Sequence, residues 1–441
     1  MLLRDATERC DGGRHRPTSQ AGTEDQQTRE DLAEVAAADR YASQQEGAGA
    51  QQGDTGRGDG PGSESGREEL RGVRTDGGHW RDGGPRQPSP PRLAGVASPS
   101  IDSTEYGREL LEAARRGDQD AYGRLVEPYR TQLHAHCYRM LGSVHDAEDA
   151  LQDTLLRAWR GLPRFEGRSS LRSWLFRIAT NASLKLIERR PKRVLPIDYG
   201  PAAALHDAPG EPLVESVWVE PYPNRELGVE DGFAAPEARY EQRESIELAF
   251  IAATQHLSAR QRAVLILHDV LGFSAQEVAE SLETTIASVN SALQRARKGV
   301  SERVPRQSQQ ATLRSLGDER QRQIVEKYID AWDRDDVDAV VAMLTEDATW
   351  SMPPMATWYR GLEAVIGFLT EWPFRQRWRR VPARANGQLA VGSYIWDAGK
   401  GKYTAHVLDV LTLQGARIKA VTGFVTPEVF PSFGLPNELP A

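Results

Sequence analysis

Cysteine is almost missing from this chain: Cys10 and Cys137 are the two in 441 residues. They sit in unlike surroundings, so neither a disulfide framework nor a cysteine metal site is legible. This usage fits a reducing cytoplasm, and no metal or cofactor is expected. No apolar run approaches the length that spans a bilayer, and the first residues lack the apolar stretch of a signal peptide, so no membrane partner is expected. Positive charge is also short. With 55 Lys and Arg against 63 Asp and Glu, the net charge is −8. That excludes a protein whose whole surface coats nucleic acid; any DNA contact must come from local basic faces.

Length allows more than one domain, and composition divides the chain. Residues 1–104 are rich in Gly, Gln, Ser, Pro and charge, as in "QQGDTGRGDGPGSESGREELRGVRTDGG". Such a segment has too little to bury to offset its ordering entropy, and a disordered tail is expected, with Trp80 its lone aromatic. Helical pattern fills 105–195. It lapses over 196–236 into an acidic, Pro-rich linker, returns over 237–305, and gives way at 317–441 to mixed helices and strands.

Two helices in the first block carry faces beyond an ordinary core stripe. In "SVHDAEDALQDTLLRAW", Val144, Ala147, Leu151, Leu155 and Ala158 recur at helical spacing. The opposite side offers Asp149, Gln152, Asp153 and Leu156, with Trp159 beside them. Leu and Trp among carboxylates suit a docking face for a protein. In "SSLRSWLFRIATNASLKLIERR", the buried stripe is Leu171, Trp174, Leu175, Ile178, Ala182 and Leu186. Arg177, Asn181, Lys185 and Arg189 lie four apart on another face, where cations around an amide suit phosphate and base-edge contact. The "RRPKR" run extends that positive surface.

"FSAQEVAESLETTIASVNSALQRAR" reads as a helix-turn-helix without the usual turn glycine. Ser274 and Glu277 form a capping box for its first helix. Ile286, Val289, Leu293, Ala296 and Val300 are the expected core side of the second. Ala287, Ser288, Ser291, Gln294, Arg295 and Lys298 face outward, with Asn290 at the edge. Small residues first and long polar ones after suit a helix entering a major groove.

In the last segment, "RQRQIVEKYIDAWDRDDVDAVVAMLTEDATWSM" reads as a long helix, a short helix and a strand. "YRGLEAVIGFL" is helical, and "QLAVGSYIWDA", "KYTAHVLDVLTLQ" and "RIKAVTGFV" are strands, the last two joined by a tight turn at Gln414-Gly415. This is an α+β domain. Six of the ten tryptophans fall here. Trp332, Trp350, Trp358 and Trp396, with His406, are candidates for a small-ligand pocket. Asp397, His406 and Asp409 offer acid–base groups but no convincing catalytic pair, and enzymatic activity is not expected.

"DAEDALQDTLLRAW", "RFEGRSSLRSWLFRIATNASL" and "LSARQRAVLILHDVLGFSAQEVAESLETTIASVNSALQRAR" together resemble bacterial RNA polymerase sigma factors of the extracytoplasmic-function type. The last segment resembles the cone-shaped SnoaL and ketosteroid-isomerase-like fold, as in the subgroup that fuses such a domain behind the second sigma domain. The resemblance implies two all-α sigma domains plus an α+β cone. It implies that the helix bearing Asp149 and Leu156 grips the clamp of the polymerase largest subunit. It also implies that Phe165, Arg168, Ser169, Arg177, Asn181 and Lys185, with Arg189, face the minus-ten element of promoter DNA. The helix-turn-helix would read the minus-thirty-five element, and the linker would thread toward the RNA exit channel. Many relatives carry Arg where Asn290 and Ala292 stand here, so promoter sequence does not transfer. Two other readings stay open: a helix-turn-helix regulator that binds DNA without polymerase, which would need neither the docking helix nor the linker, and a small-molecule enzyme built on the cone.

Overall fold

The computed structural model describes residues 104–213, 217–224 and 243–441. The segment read as a disordered tail, and part of the acidic linker, lie outside the described residues.

Four helices open the described chain: α1 (Glu105–Arg115), α2 (Gln119–Leu141), α3 (Val144–Gly161) and α4 (Leu171–Ile187). Each starts where a short polar side chain accepts an otherwise unpaired first-turn N–H: Thr104, Asp118, Ser143 and Ser170. Gly142, left-handed at φ 69°, ends α2 and lets α3 fold back on it. Leu125, Leu133, Cys137, Met140, Leu151, Leu175 and Ala179 make the shared interior. Each large side chain there contributes on the order of 2 kcal/mol by leaving water. Trp174 and Ile178 are half-buried.

The linker then crosses the surface of the last domain. Ala203 N–H donates to the Trp358 carbonyl at 2.8 Å and Leu213 N–H to the Pro354 carbonyl at 3.0 Å. Tyr359 Oη donates to the Asp207 carbonyl at 2.8 Å.

Helices α5 (Leu248–Gln255), α6 (Ala259–Leu265, continued by a π turn over Ile266–Val270), α7 (Ala275–Ser281) and α8 (Ile286–Ser301) form the second helical unit. Both partners of the Ser274–Glu277 capping box are in place. The α7–α8 turn needs a left-handed residue, and Glu283 takes it at φ 51° in place of glycine. Val289, Leu293 and Ala296 are buried as the periodicity predicts, and Ala292 joins them. Ile286 does not: it is 44% exposed. It is the first residue of α8, before the helix has turned its stripe onto α6, so the helical period extrapolates one turn too far.

The last domain begins with α9 (Gln309–Asp333), kinked where Gly317 leaves helical geometry at φ 70°, ψ 163°. Then come α10 (Val337–Ala342), β1 (Leu344–Ser351), β2 (Trp358–Arg360), α11 (Leu362–Glu371), β3 (Trp378–Ala385), β4 (Gln388–Asp397), β5 (Lys402–Gln414), β6 (Arg417–Phe424) and β7 (Glu438–Leu439). Among the described residues these strands form one sheet, in the order β2-β1-β6-β5-β4-β3, with β7 paired to β5. The β1–β6 pair is parallel and the other pairs are antiparallel. Gln414 pairs with Arg417 across the expected tight turn, with Gly415 at φ 58°. Helices α9 and α11 cover one face over Tyr328, Trp332, Trp350, Phe368, Leu389 and Leu411.

Candidate polymerase and promoter surfaces

On α3 the core stripe turns inward and leaves Asp149, Gln152 and Leu156 exposed, Leu156 by 47%. Asp153 is half-buried beside them and accepts from Arg157 Nε at 2.8 Å. A bare leucine framed by acidic and amide groups suits an apolar anchor with a polar rim. Trp159 differs. It is half-buried, its ring 5.0 Å from that of Tyr122, whose hydroxyl donates to the Leu155 carbonyl.

On α4, Asn181 and Lys185 are exposed along one side, and Arg189 is exposed in the turn just past its end. In the loop before it, Ser169 is exposed, and so is Arg168, which pairs with Glu166 at 2.8 Å. Phe165 is placed inside: it is 8% exposed, with its ring 5.0 Å from Trp174. Arg177 reaches Glu283 in the α7–α8 turn at 2.6 Å. Two further contacts tie the same helix to the helix-turn-helix. Arg172 donates to the Leu271 carbonyl at 3.2 Å and lies 4.6 Å from the Phe273 ring centre. The first helical unit and the helix-turn-helix are thus packed against each other.

On α8, Ser288, Asn290, Ser291, Gln294, Arg295 and Lys298 are all exposed. Arg297 is held back on the α6 extension by Asp269, at 2.6 and 2.8 Å. Asp269 is held below its usual carboxylate range by this partner and by His268, against the opposing effect of burial. Ile286 adds an apolar group to the leading edge of this surface, a residue that the sequence pattern had assigned to the core.

A second tie runs through the cone. Asn386 and Gly387 form the β3–β4 turn at φ 53° and 70°. Asn386 Nδ2 donates to Tyr138 Oη on α2 at 2.9 Å and to the Ile246 carbonyl at 2.7 Å. Its Oδ1 accepts from the Tyr222 N–H of the linker at 2.8 Å, and its own N–H donates to the Tyr222 carbonyl. The Tyr222 ring is buried 4.3 Å from that of Tyr138. Glu220, two residues before, accepts from the Val144 N–H at 2.9 Å and caps α3 from outside. At the start of α9, the Glu247 carboxylate accepts from the Gln309 and Gln310 N–H groups at 3.0 and 2.7 Å. Burial outweighs those donors and pushes Glu247 up to about 7. None of Glu220, Tyr222, Glu247 and Asn386 was a sequence candidate; "NG" between two strand-like runs was the available signal.

The cone's candidate residues separate. Trp332 and Trp350 are neighbours at 6.2 Å, and Phe374 stacks on Trp332 at 4.2 Å. Trp358 is directed at the linker instead, its Nε1 donating to the Gly200 carbonyl at 2.8 Å. Trp396 packs on Tyr403 at 5.1 Å, and His406 on Trp378 at 5.7 Å. Burial pushes Asp409 up to about 6 against the opposing pull of Arg380, and its carboxylate accepts from Ser393 Oγ at 3.0 Å. Among the described residues no hydrogen bond or ion pair joins Asp409 to His406.

The chain is similar to known proteins along three stretches. Residues 125–193 match the Sigma-70 region 2 family, 247–299 the Sigma-70 region 4 family, and 325–421 the SnoaL-like domain family. The ECF RNA polymerase sigma factor SigG of Mycobacterium tuberculosis is 42% identical over 77% of this chain and 90% of its own length. The ECF RNA polymerase sigma factor SigW of Bacillus subtilis is 27% identical over 44% of this chain and 94% of its own. The crystal structure of the M. tuberculosis extracytoplasmic function sigma factor SigJ is 22% identical, covers 70% of this chain and 98% of its own, and superposes with a TM-score of 0.45. No helix of the described residues is long and apolar enough to cross a membrane. The chain belongs to the extracytoplasmic-function sigma factors of RNA polymerase and carries a SnoaL-like domain behind its two sigma domains.

Proposed function

We propose that this sigma factor docks on the clamp of the polymerase largest subunit through Asp149, Gln152, Asp153 and Leu156 of α3. It faces the minus-ten element with the loop before α4, the Asn181 and Lys185 side of that helix, and Arg189 just past its end. It reads the minus-thirty-five element with α8. The cone acts on the arrangement of the two sigma domains, not on a substrate of its own. The observation that carries this is the packing of α4 on the helix-turn-helix. With Arg177 committed to Glu283, one minus-ten candidate is withheld while the domains are closed. The linker and both sigma domains meet the same cone residue, Asn386, so the cone favours the closed arrangement. Polymerase and promoter then have to favour an open one by differential binding. The polymerase-independent regulator reading leaves the exposed α3 face without a use. The enzyme reading lacks an acid–base pair, since His406 and Asp409 are not joined.

The test is multi-round transcription at matched active concentrations, comparing the full chain with one truncated after Gln310. Truncation is expected to keep polymerase binding and change output; equal output would remove the regulatory role of the cone.

A further inference from the structure

In a chain of net charge −8, the stretch from Trp372 to Trp396 holds five arginines and no Asp or Glu. Strand β3 sorts them by the alternation of its faces. Arg380 turns inward, buried 3.7 Å from the Trp332 ring centre, and Arg384 donates to Gln321 of α9 at 2.9 Å. Arg377 and Arg379 lie on the other face, and both are exposed. The ladder reaches Arg377 through the Trp396 N–H, which donates to its carbonyl at 2.9 Å. The Arg377 guanidinium is 5.0 Å from the Trp396 ring centre, and that of Arg379 is 5.1 Å from the Tyr403 ring centre. Trp396 and Tyr403 are themselves opposite each other on β4 and β5. Two cations thus lie on one aromatic pair, which fixes their planes.

Among the described residues neither Arg377 nor Arg379 has a hydrogen-bond or ion-pair partner for its guanidinium, and neither does exposed Arg375. The neighbouring carboxylates are engaged elsewhere. Asp397 accepts from the Gly399 and Lys400 N–H groups in the β4–β5 turn, and Glu438 is shared by Lys400 and Lys402. Asp333 and Asp335, where α9 ends, act on Arg380; Asp333 also feels Arg379, more weakly and without an ion pair.

Unpaired guanidiniums held in fixed planes suit bidentate contact with phosphate oxygens. A single strand would need open rings on which to stack its bases. Here Tyr403 is buried and Trp396 is half-buried beneath Arg377. We propose that Arg377 and Arg379 hold the phosphate backbone of duplex DNA, with Arg375 at the edge of the contact. The cone then adds a sequence-independent grip to that of α8, to which residues 302–308 join it. This rests on α8 as a reader of promoter DNA.

The test is fluorescence anisotropy of a labelled mixed-sequence duplex of about 40 base pairs, titrated with the full chain between about 50 and 200 mM NaCl. Arg377→Gln with Arg379→Gln should weaken binding at least about threefold at the lowest salt and flatten the slope of log affinity against log salt by about 1.8, about 0.9 per lost phosphate contact. Arg377→Lys with Arg379→Lys should keep the slope, as a merely misfolded variant would not. Arg320→Gln with Lys327→Gln makes the same change in net charge on exposed positions of α9 and should leave the slope unaltered. Equal flattening in that control would mean general charge attraction and would overturn the contact. An unchanged slope in the Arg377, Arg379 variant, with a flatter one in Arg295→Gln, Lys298→Gln, would overturn the cone contact and leave α8 standing. No duplex binding by the native chain would remove the α8 reading together with this one. Two other results would reassign the surface and overturn the duplex proposal. One is tighter, arginine-dependent binding of oligo-dT, which means a single strand. The other is arginine-dependent binding of poly-glutamate with unchanged duplex binding, which means an acidic protein.

Discussion

The side-chain amide of Asn386 donates to the hydroxyl of Tyr138, 248 positions earlier in the chain, at 2.9 Å. One turn residue of the cone thereby holds a helix of the first sigma domain. Through the Ile246 carbonyl and the Tyr222 backbone it also holds the second sigma domain and the linker. Asn386→Gly keeps the left-handed turn and removes only the side-chain bonds. Losing three buried bonds should cost roughly 2–4 kcal/mol of stability. The variant should melt earlier yet bind core polymerase more tightly, because less has to be opened. Lower stability with unchanged polymerase affinity would reduce Asn386 to a packing residue.

Asp153→Arg with Leu156→Arg reverses a charge and replaces the exposed apolar anchor of α3. Neither residue is in the core, so circular dichroism should be unchanged. Core polymerase affinity should drop by at least tenfold, as for loss of one central anchor of about 2 kcal/mol. A pull-down showing unaltered affinity would move the docking face elsewhere.

On α8, substitution of Ser291 or Gln294 should alter the preferred minus-thirty-five bases, whereas Lys298→Ala should weaken all promoters alike. A promoter-library selection separates the two behaviours. Exposed Ile286 adds a sharper case, since the thymine methyl is the apolar group of the major-groove edge. Deoxyuridine in place of thymidine should weaken binding of the native protein at one position and leave Ile286→Ala indifferent there. Identical consensus sequences for native and Gln294 variants would reject base reading by this face.

Glu247 gives a pH signature. Its carboxyl is pushed up from 4.5 to about 7, so the folded chain holds that proton more tightly than the unfolded one. Stability from this group is therefore fully present below about 4.5 and is lost as pH rises toward 7, by an amount on the order of 3 kcal/mol. Glu247→Gln should remove that part of the slope when melting temperatures are compared between pH 5 and pH 7. An identical slope in both proteins would mean that Glu247 ionises freely.

The helices and most strands were legible because each carries its own period. The α3 stripe, the capping box at Ser274 and the Gln414-Gly415 turn are local signals, and each acts where it stands in sequence. Strand β3 was passed over because Pro382 interrupts it; as an edge strand it tolerates the missing donor. Ile286 was misassigned because a helical period does not say where the helix leaves its neighbour. The ties through Asn386, Tyr222 and Glu247 were invisible for a different reason. They join residues tens to hundreds of positions apart, and nothing in their neighbourhoods marks the partner. The cone tryptophans share a composition but not a place: Trp358 serves the linker, and Trp332 and Trp350 serve the interior.

Run-off transcription with purified core polymerase on a genomic promoter library tests the central claim most directly. The full chain should produce discrete start sites absent with core alone. These sites should vanish with the Asp153→Arg, Leu156→Arg protein and shift in sequence with the Gln294 variant. Start sites that are the same with and without the chain, or that survive the α3 substitutions at full strength, would contradict it.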